Sequence, residues 1–208
     1  MRALFIPNPT LMGHPDRLSQ QIQFIIEIDR LKQILRQTYI TDRSRPENTA
    51  EHSWHIAVMA TVLMEYAPPG ANLLHAVKML LIHDLVEIDA GDTFAFDVSA
   101  HANKAEREEQ AAERLFGLLP ADQREELRSL WDEFEARQTP TSRFANALDR
   151  IQPLFLNQQN QGGTWKKYGV TLDRVLERMQ PVKDGTPLLW PMVEDAIATC
   201  IAAGYLSP

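Results

Sequence analysis

Two histidines and two aspartates stand out by type and setting. His83 and Asp84 adjoin near the end of a very apolar stretch, LLIHDLVEIDAGD. A buried imidazole beside a buried carboxylate is costly unless the two are paired or bind a metal. His52 lies upstream in ENTAEHSWH, and Asp149 lies downstream in FANALDRIQPLF, an acid in an otherwise apolar helical run. Two imidazoles and two carboxylates make a mixed nitrogen and oxygen donor set. Such a set suits Mn, Fe, Co, Ni or Zn better than Ca and leaves positions open for water and substrate. A hydrogen-bonded His83-Asp84 pair with no metal is the alternative. Glu87 follows His83 by four residues, which places both on one face if the helix continues. There it could orient a water or take its proton, or simply pair with an arginine. No Gly-rich phosphate loop, GxSxG, HExxH or CxxC motif is present.

The elements that must position these residues are helical. Leu18, Ile22, Ile25, Ile26, Leu31 and Leu35 recur at three- and four-residue steps, which predicts an amphipathic helix from Asp16 to Arg36. A polar loop follows over Thr41–Asn48. Thr49 is expected to cap a second helix reaching about Tyr66. The stretch from Ala71 to Ile88 is almost wholly apolar and reads as a central buried helix. Gly91 ends it, and Asp92–Ser99 reads as a loop. Further helices are expected over 103–119, 120–137, 140–157, 171–179 and 187–205, with a loop at 157–163. No alternating pattern demands a sheet, so the reading is one all-α domain over 1–208. Its core spans about 16–160, with C-terminal helices over 170–205.

Composition narrows the function classes. The chain has 208 residues, 44% of them hydrophobic and 24% charged, and a formal net charge of −7. An acidic chain is repelled by phosphate backbones and anionic membranes, which argues against nucleic-acid and membrane partners. No apolar run approaches a membrane span. Cys200 is the only cysteine, so no internal disulfide forms and a reducing, cytoplasmic setting is expected.

The order His52, His83-Asp84, Asp149 resembles the HD-domain superfamily of metal-dependent phosphohydrolases. The flanking words resemble its 5′-deoxynucleotidase-like branch. Arg45-Pro46-Glu47-Asn48-Thr49-Ala50-Glu51-His52-Ser53 matches the segment around the first histidine. His83 to Asp92 matches the HD helix, with its Glu three residues after the Asp and a closing Gly-Asp. The resemblance covers about Leu31 to Leu156. It implies an HD-domain helical bundle of about seven to eight helices. It also implies one divalent ion (Mn, Co, Fe, Ni, Zn or Mg) on His52, His83, Asp84 and Asp149. By the same resemblance Glu87 is the catalytic glutamate, Asp92 assists at the leaving sugar, and Arg36 holds the phosphate. A Trp follows that arginine in characterised bacterial members, where it helps choose deoxyribose. Gln37 stands there here, so the resemblance carries no deoxyribose preference over.

The expected activity is removal of the 5′-phosphate from (deoxy)nucleoside 5′-monophosphates. The alternatives are another phosphoester, such as a cyclic nucleotide, an alarmone or a nucleoside triphosphate, or a non-catalytic nucleotide-binding module. A homodimer is expected, because such relatives commonly pair and the apolar C-terminal helix needs a cover. The remaining candidates read as structural. His55 and His75 are core or surface histidines, and His14 and His101 are surface residues. Arg43 and Arg45 are solvated charges, and Cys200 is core. The run Lys104–Arg114 is a solvated helix face. Trp165 is a plug for its loop; it or Tyr39 could line a sugar pocket.

Overall fold

The structure, a computed structural model, describes residues 16–97 and 102–208. Ten α-helical segments and one short hairpin make up these described residues. His14 and His101 lie outside them.

The first helix, α1 (Arg17–Ile28), is capped by the Asp16 side chain. It is shorter than the periodicity predicts. A 3₁₀ turn over Asp29–Gln33 follows, and then a strand, β1 (Leu35–Tyr39). Arg36 therefore sits on a strand, not at a helix end. The expected absence of a sheet is also corrected: β1 pairs antiparallel with β2 (Pro46–Asn48), Leu35 opposite Asn48 and Tyr39 opposite Pro46. A two-stranded ribbon of eight residues is too short to print an alternating pattern. It matters because it places Arg36 beside Glu47 at the mouth of the bundle.

Helix α2 (Thr49–Leu63) opens with a capping box in which Asn48, not Thr49, is the cap and Glu51 answers it. This frees the Thr49 hydroxyl for the site. Helix α3 (Leu73–Ile82) ends at His83. From there Leu85 donates to Ile82 and Glu87 to Asp84, three-residue bonds that tighten the chain before a short helix, α4 (Glu87–Ala90). The single helix expected through Ile88 is thus two helices and a turn. Helix α3 is also less enclosed than its composition suggests, since Leu74 and Leu81 are exposed.

Helices α5 (Lys104–Phe116) and α6 (Ala121–Ala136) lead to α7 (Pro140–Gln159), whose cap is Thr139. Helix α7 is the enclosed element: Phe144, Leu148 and Ile151 have no exposed surface, and it also carries Asp149. Its low mean hydropathy concealed this, because Asn146, Arg150, Gln152 and Asn157 are buried on it as well. The segment expected to be a loop turns at Asn160–Gly162 and becomes α8 (Gly163–Tyr168). Helix α9 (Leu172–Gly185) runs past the expected end, with Pro181 inside it. Helix α10 (Trp190–Ala202) buries Val193, Ile197 and Cys200 in the chain's own core, so it needs no partner to cover it. Leu18, Ile22, Ile25 and Ile26 on α1 are exposed instead. No helix among the described residues is long and apolar enough to cross a membrane.

Candidate metal centre

His52, His83, Asp84 and Asp149 converge from α2, the end of α3, the turn after it, and α7. His52 Nε2 lies 3.0 Å from Asp149 Oδ1, and His83 Nε2 lies 3.8 Å from the same oxygen. His52, His83 and Asp149 each offer one donor atom within 4.8 Å of the others. Asp84 completes the ring less tightly. Its Oδ1 is 3.1 Å from His83 Nε2 and its Oδ2 is 3.9 Å from His52 Nε2, but Oδ2 also accepts from Arg36 Nη1 at 3.0 Å.

The hydrogen bonds behind the ring fix which nitrogens face inward. His83 Nδ1 donates to the Leu80 carbonyl at 2.9 Å, so Nε2 is the inward atom. That Nε2 is buried without a hydrogen-bond partner. Gln152 Nε2 donates to Glu47 Oε1 at 2.6 Å, which leaves Gln152 Oε1 to accept from His52 Nδ1 at 3.1 Å. A neutral His52 then turns a lone pair toward the Asp149 carboxylate, acceptor against acceptor at 3.0 Å. Two buried acceptors hold that distance comfortably only with a proton or a cation between them. The donor set, the orphaned His83 nitrogen and this acceptor pair all fit a divalent metal.

The electrostatics divide the two histidines. Burial and the nearby Arg36 cation push His52 down to about 4, so it is neutral. Burial also works against a charged His83, but the Asp84 and Asp149 carboxylates outweigh it and hold that group up at about 10. Glu87 is raised well above the ordinary carboxylate range by burial and by the Asp84 charge, although Thr49 Oγ1 donates to it at 2.9 Å. Burial raises Asp92 too, with Arg36 opposing and Asp84 adding to the shift. Burial works against the Arg36 charge; Asp84, Glu87, Asp92 and Asp149 outweigh it and keep the guanidinium firmly charged. Its Nε is buried without a hydrogen-bond partner.

One cavity joins these groups: Arg36, His83, Asp84, Glu87, Asp92 and Asp149 line it. Gln37 and Trp165 line it as well, and Tyr39 does not. Trp165 is 3% exposed and sits in α8 as part of the wall.

Several contributors escaped the sequence reading. Glu47 is buried, pushed up to about 7 chiefly by burial, and stands 3.7 Å from both Arg36 Nε and His52 Nδ1. Gln152 lies three residues after Asp149, a spacing that places both on one side of α7 and could have flagged it. His55 joins this cluster through Gln152 Nε2 at 3.2 Å. Lys104 and Glu108 belong to the cavity wall and not to a solvated face. His75 pairs with Glu133 at 2.7 Å, and Arg45 pairs with Glu51, as structural residues do. Arg43 is exposed and reaches Gln161.

A helical bundle that brings an upstream histidine, a His-Asp pair and a distant aspartate together defines the HD-domain class. The chain belongs to the HD-domain family, whose model matches residues 28–190. Among named relatives, human 5′-deoxynucleotidase HDDC2 is 31% identical over 151 residues, 72% of each chain. The fission yeast 5′-deoxynucleotidase hdd1 is 24% identical over 63% of this chain and 67% of its own. A solved structure from Magnetospirillum magnetotacticum, described as a predicted metal-dependent phosphohydrolase, is 51% identical. It covers 95% of this chain and 100% of its own, with a TM-score of 0.91.

Proposed function

We propose that this chain is a metal-dependent phosphomonoesterase that removes the 5′-phosphate from (deoxy)nucleoside 5′-monophosphates, releasing nucleoside and phosphate. The observation that carries the reading is the 3.0 Å His52–Asp149 contact beside the orphaned His83 Nε2, next to a cavity that presents Arg36, Glu87 and Asp92. The 5′-deoxynucleotidase names of the relatives support the substrate class. A divalent ion (Mn, Co, Fe, Ni, Zn or Mg) on His52, His83, Asp84 and Asp149 would supply Lewis-acid stabilisation of phosphate charge and an acidified water.

The chain's own residues then divide the work. Arg36 keeps its charge and lines the cavity, and its guanidinium fork has donors to share with a phosphate oxygen. Glu87, held by Thr49, orients the attacking water and accepts its proton. Asp92 has a raised affinity for protons and so can hold one for the leaving O5′. Gln37, which accepts from the Tyr168 hydroxyl, faces the cavity where the sugar would lie. A single domain, a homodimer and a cytoplasmic setting belong to the same proposal, the dimer on the strength of the resemblance.

Two outcomes follow from the geometry. His52 is aimed by Gln152, so Gln152→Ala should lower metal affinity by roughly tenfold to a hundredfold, read by competition with a metal chelator. An unchanged affinity would remove Gln152 from the account. His83 without metal carries a proton at neutral pH, because its folded affinity for protons lies near 10. Binding a cation at Nε2 displaces that proton. Metal binding near pH 7 should therefore release about one proton, and affinity should rise with pH toward 10. Calorimetry in two buffers of different ionisation enthalpy reads this release, and identical heats in both would contradict it.

The reaction class is tested with a panel of 5′-monophosphates, 3′-monophosphates and cyclic nucleotides on metal-loaded protein. Phosphate release confined to the 5′-monophosphates is the expected result. The ribo-to-deoxyribo ratio then reports what Gln37 does. Turnover only of cyclic nucleotides would overturn the reading.

A further inference from the structure

The cavity wall around the metal centre carries more positive charge than one phosphate needs. Arg137, Arg150 and Arg178 line it in addition to Arg36. Arg150, next to Asp149 on α7, is 5% exposed, and its Nε is buried without a partner. Its guanidinium makes no hydrogen bond or ion pair among the described residues. Arg178 on α9 faces a single carboxylate, Asp149 Oδ2 at 3.8 Å. That aspartate is already shared by His52 and His83. Arg137 ends α6 in the left-handed region, with φ 54° and ψ 32°. A side chain with a Cβ is strained there, and such strain gathers at functional sites.

These three cations repel one another. Arg178 and Arg137 both act on Arg150, and Asp149 and Glu135 oppose them there. Glu135 lines the same cavity and is exposed, as is Arg137. Lys104 adds no free charge, because Glu108 pairs with it at 3.2 Å. Guanidinium groups do not neutralise by losing a proton near neutral pH, and Arg150, the buried one of the three, is costly without a partner. A neutral base would stack on one guanidinium and leave the others uncompensated. An anion brought by the ligand compensates the buried Arg150, with Arg178 and Arg137 on the same cavity wall to share it.

We propose that Arg137, Arg150 and Arg178 form a second anion subsite, so that the preferred substrate is a nucleotide carrying a second phosphate on its 3′ oxygen. The inference deepens the 5′-phosphomonoesterase reading and rests on it. Water adds to the 5′ phosphorus, the P–O5′ bond breaks, and O5′ takes a proton. The products are a nucleoside 3′-phosphate and inorganic phosphate. The second phosphate stays on the arginines, where a guanidinium fork matches two of its oxygens.

The test is calorimetric titration of metal-loaded Glu87→Gln protein, which keeps the ligand intact, with deoxyadenosine 3′,5′-bisphosphate and with deoxyadenosine 5′-monophosphate. The bisphosphate should bind roughly tenfold to a hundredfold tighter, the worth of one or more charge-assisted hydrogen bonds. Arg150→Gln and Arg137→Gly, each added to this background, should cut that ratio at least about fivefold. Arg137→Gly suits the left-handed backbone, so it decides the matter if Arg150→Gln fails to fold. A wild-type ratio near one, or a ratio untouched by Arg137→Gly, would overturn the subsite. Phosphate release by the unmodified chain is scored separately. Hydrolysis with no bisphosphate preference would leave the hydrolytic reading standing and remove the subsite. Tight bisphosphate binding without hydrolysis would do the reverse.

Discussion

Replacing Asp84 by alanine is expected to lower metal-dependent phosphate release by about a thousandfold or more, because several kcal/mol of charge stabilisation depend on the ion it helps to hold. Asp84 has two further jobs in the metal-free protein. Its Oδ2 accepts from Arg36 at 3.0 Å, and its Oδ1 lies against His83 at 3.1 Å. Among the described residues, deleting the carboxylate leaves Arg36 the ion pairs with Glu47 and Asp92, at 3.7 and 3.9 Å. Breaking a buried pair in this way costs about 3 kcal/mol or more, so urea unfolding of the metal-free variant should shift as well. Asp84→Asn keeps the shape and a hydrogen-bond acceptor while losing the charge. It should lose activity to a similar extent with a smaller loss of stability. Full activity in Asp84→Ala would remove Asp84 from the metal site.

Glu87→Gln separates binding from chemistry. The amide is nearly isosteric and can still accept from Thr49, so the fold and the metal content should be retained. What disappears is the group that takes a proton, and kcat should fall by about 10² to 10⁴. The pH profile gives a second readout. Burial and the Asp84 charge raise the Glu87 affinity for protons. A base of that kind works only when ionised, so kcat/KM should rise with pH through its titration. The glutamine variant should lose that rise. A normal rate with an unchanged acidic limb would show that Glu87 pairs or packs and does no chemistry.

The site was more legible than the frame around it. His83-Asp84 announced itself as charge inside an apolar run, and Asp149 as an acid inside a helical one; the structure brings Asp149 to 3.0 Å and Asp84 to 3.9 Å from His52. The polar groups that aim them were silent. Gln152 and Glu47 are unremarkable in sequence and acquire meaning only when α7 and β2 meet at His52. Arg137, Arg150 and Arg178 are likewise scattered over α6, α7 and α9 and gather only in three dimensions. The helical class followed from periodicity. The hairpin did not, because β1 and β2 are too short to alternate visibly. The break at His83 was hidden because residues on either side are apolar, and the tightening is made by backbone bonds over 82–88. In α1 the three- and four-residue rhythm correctly marks a helix. Periodicity cannot say whether such a face meets the chain's own core, and here Leu18, Ile22 and Ile25 do not.

The most direct test of the account is phosphate release from deoxyadenosine 5′-monophosphate by a single preparation, measured as purified, after EDTA treatment, and after adding back Mn, Co or Mg. Activity that vanishes with EDTA and returns with the cation is the predicted result. Activity indifferent to EDTA, from protein shown to have lost its metal, would contradict the claim that His52, His83, Asp84 and Asp149 act through a bound ion.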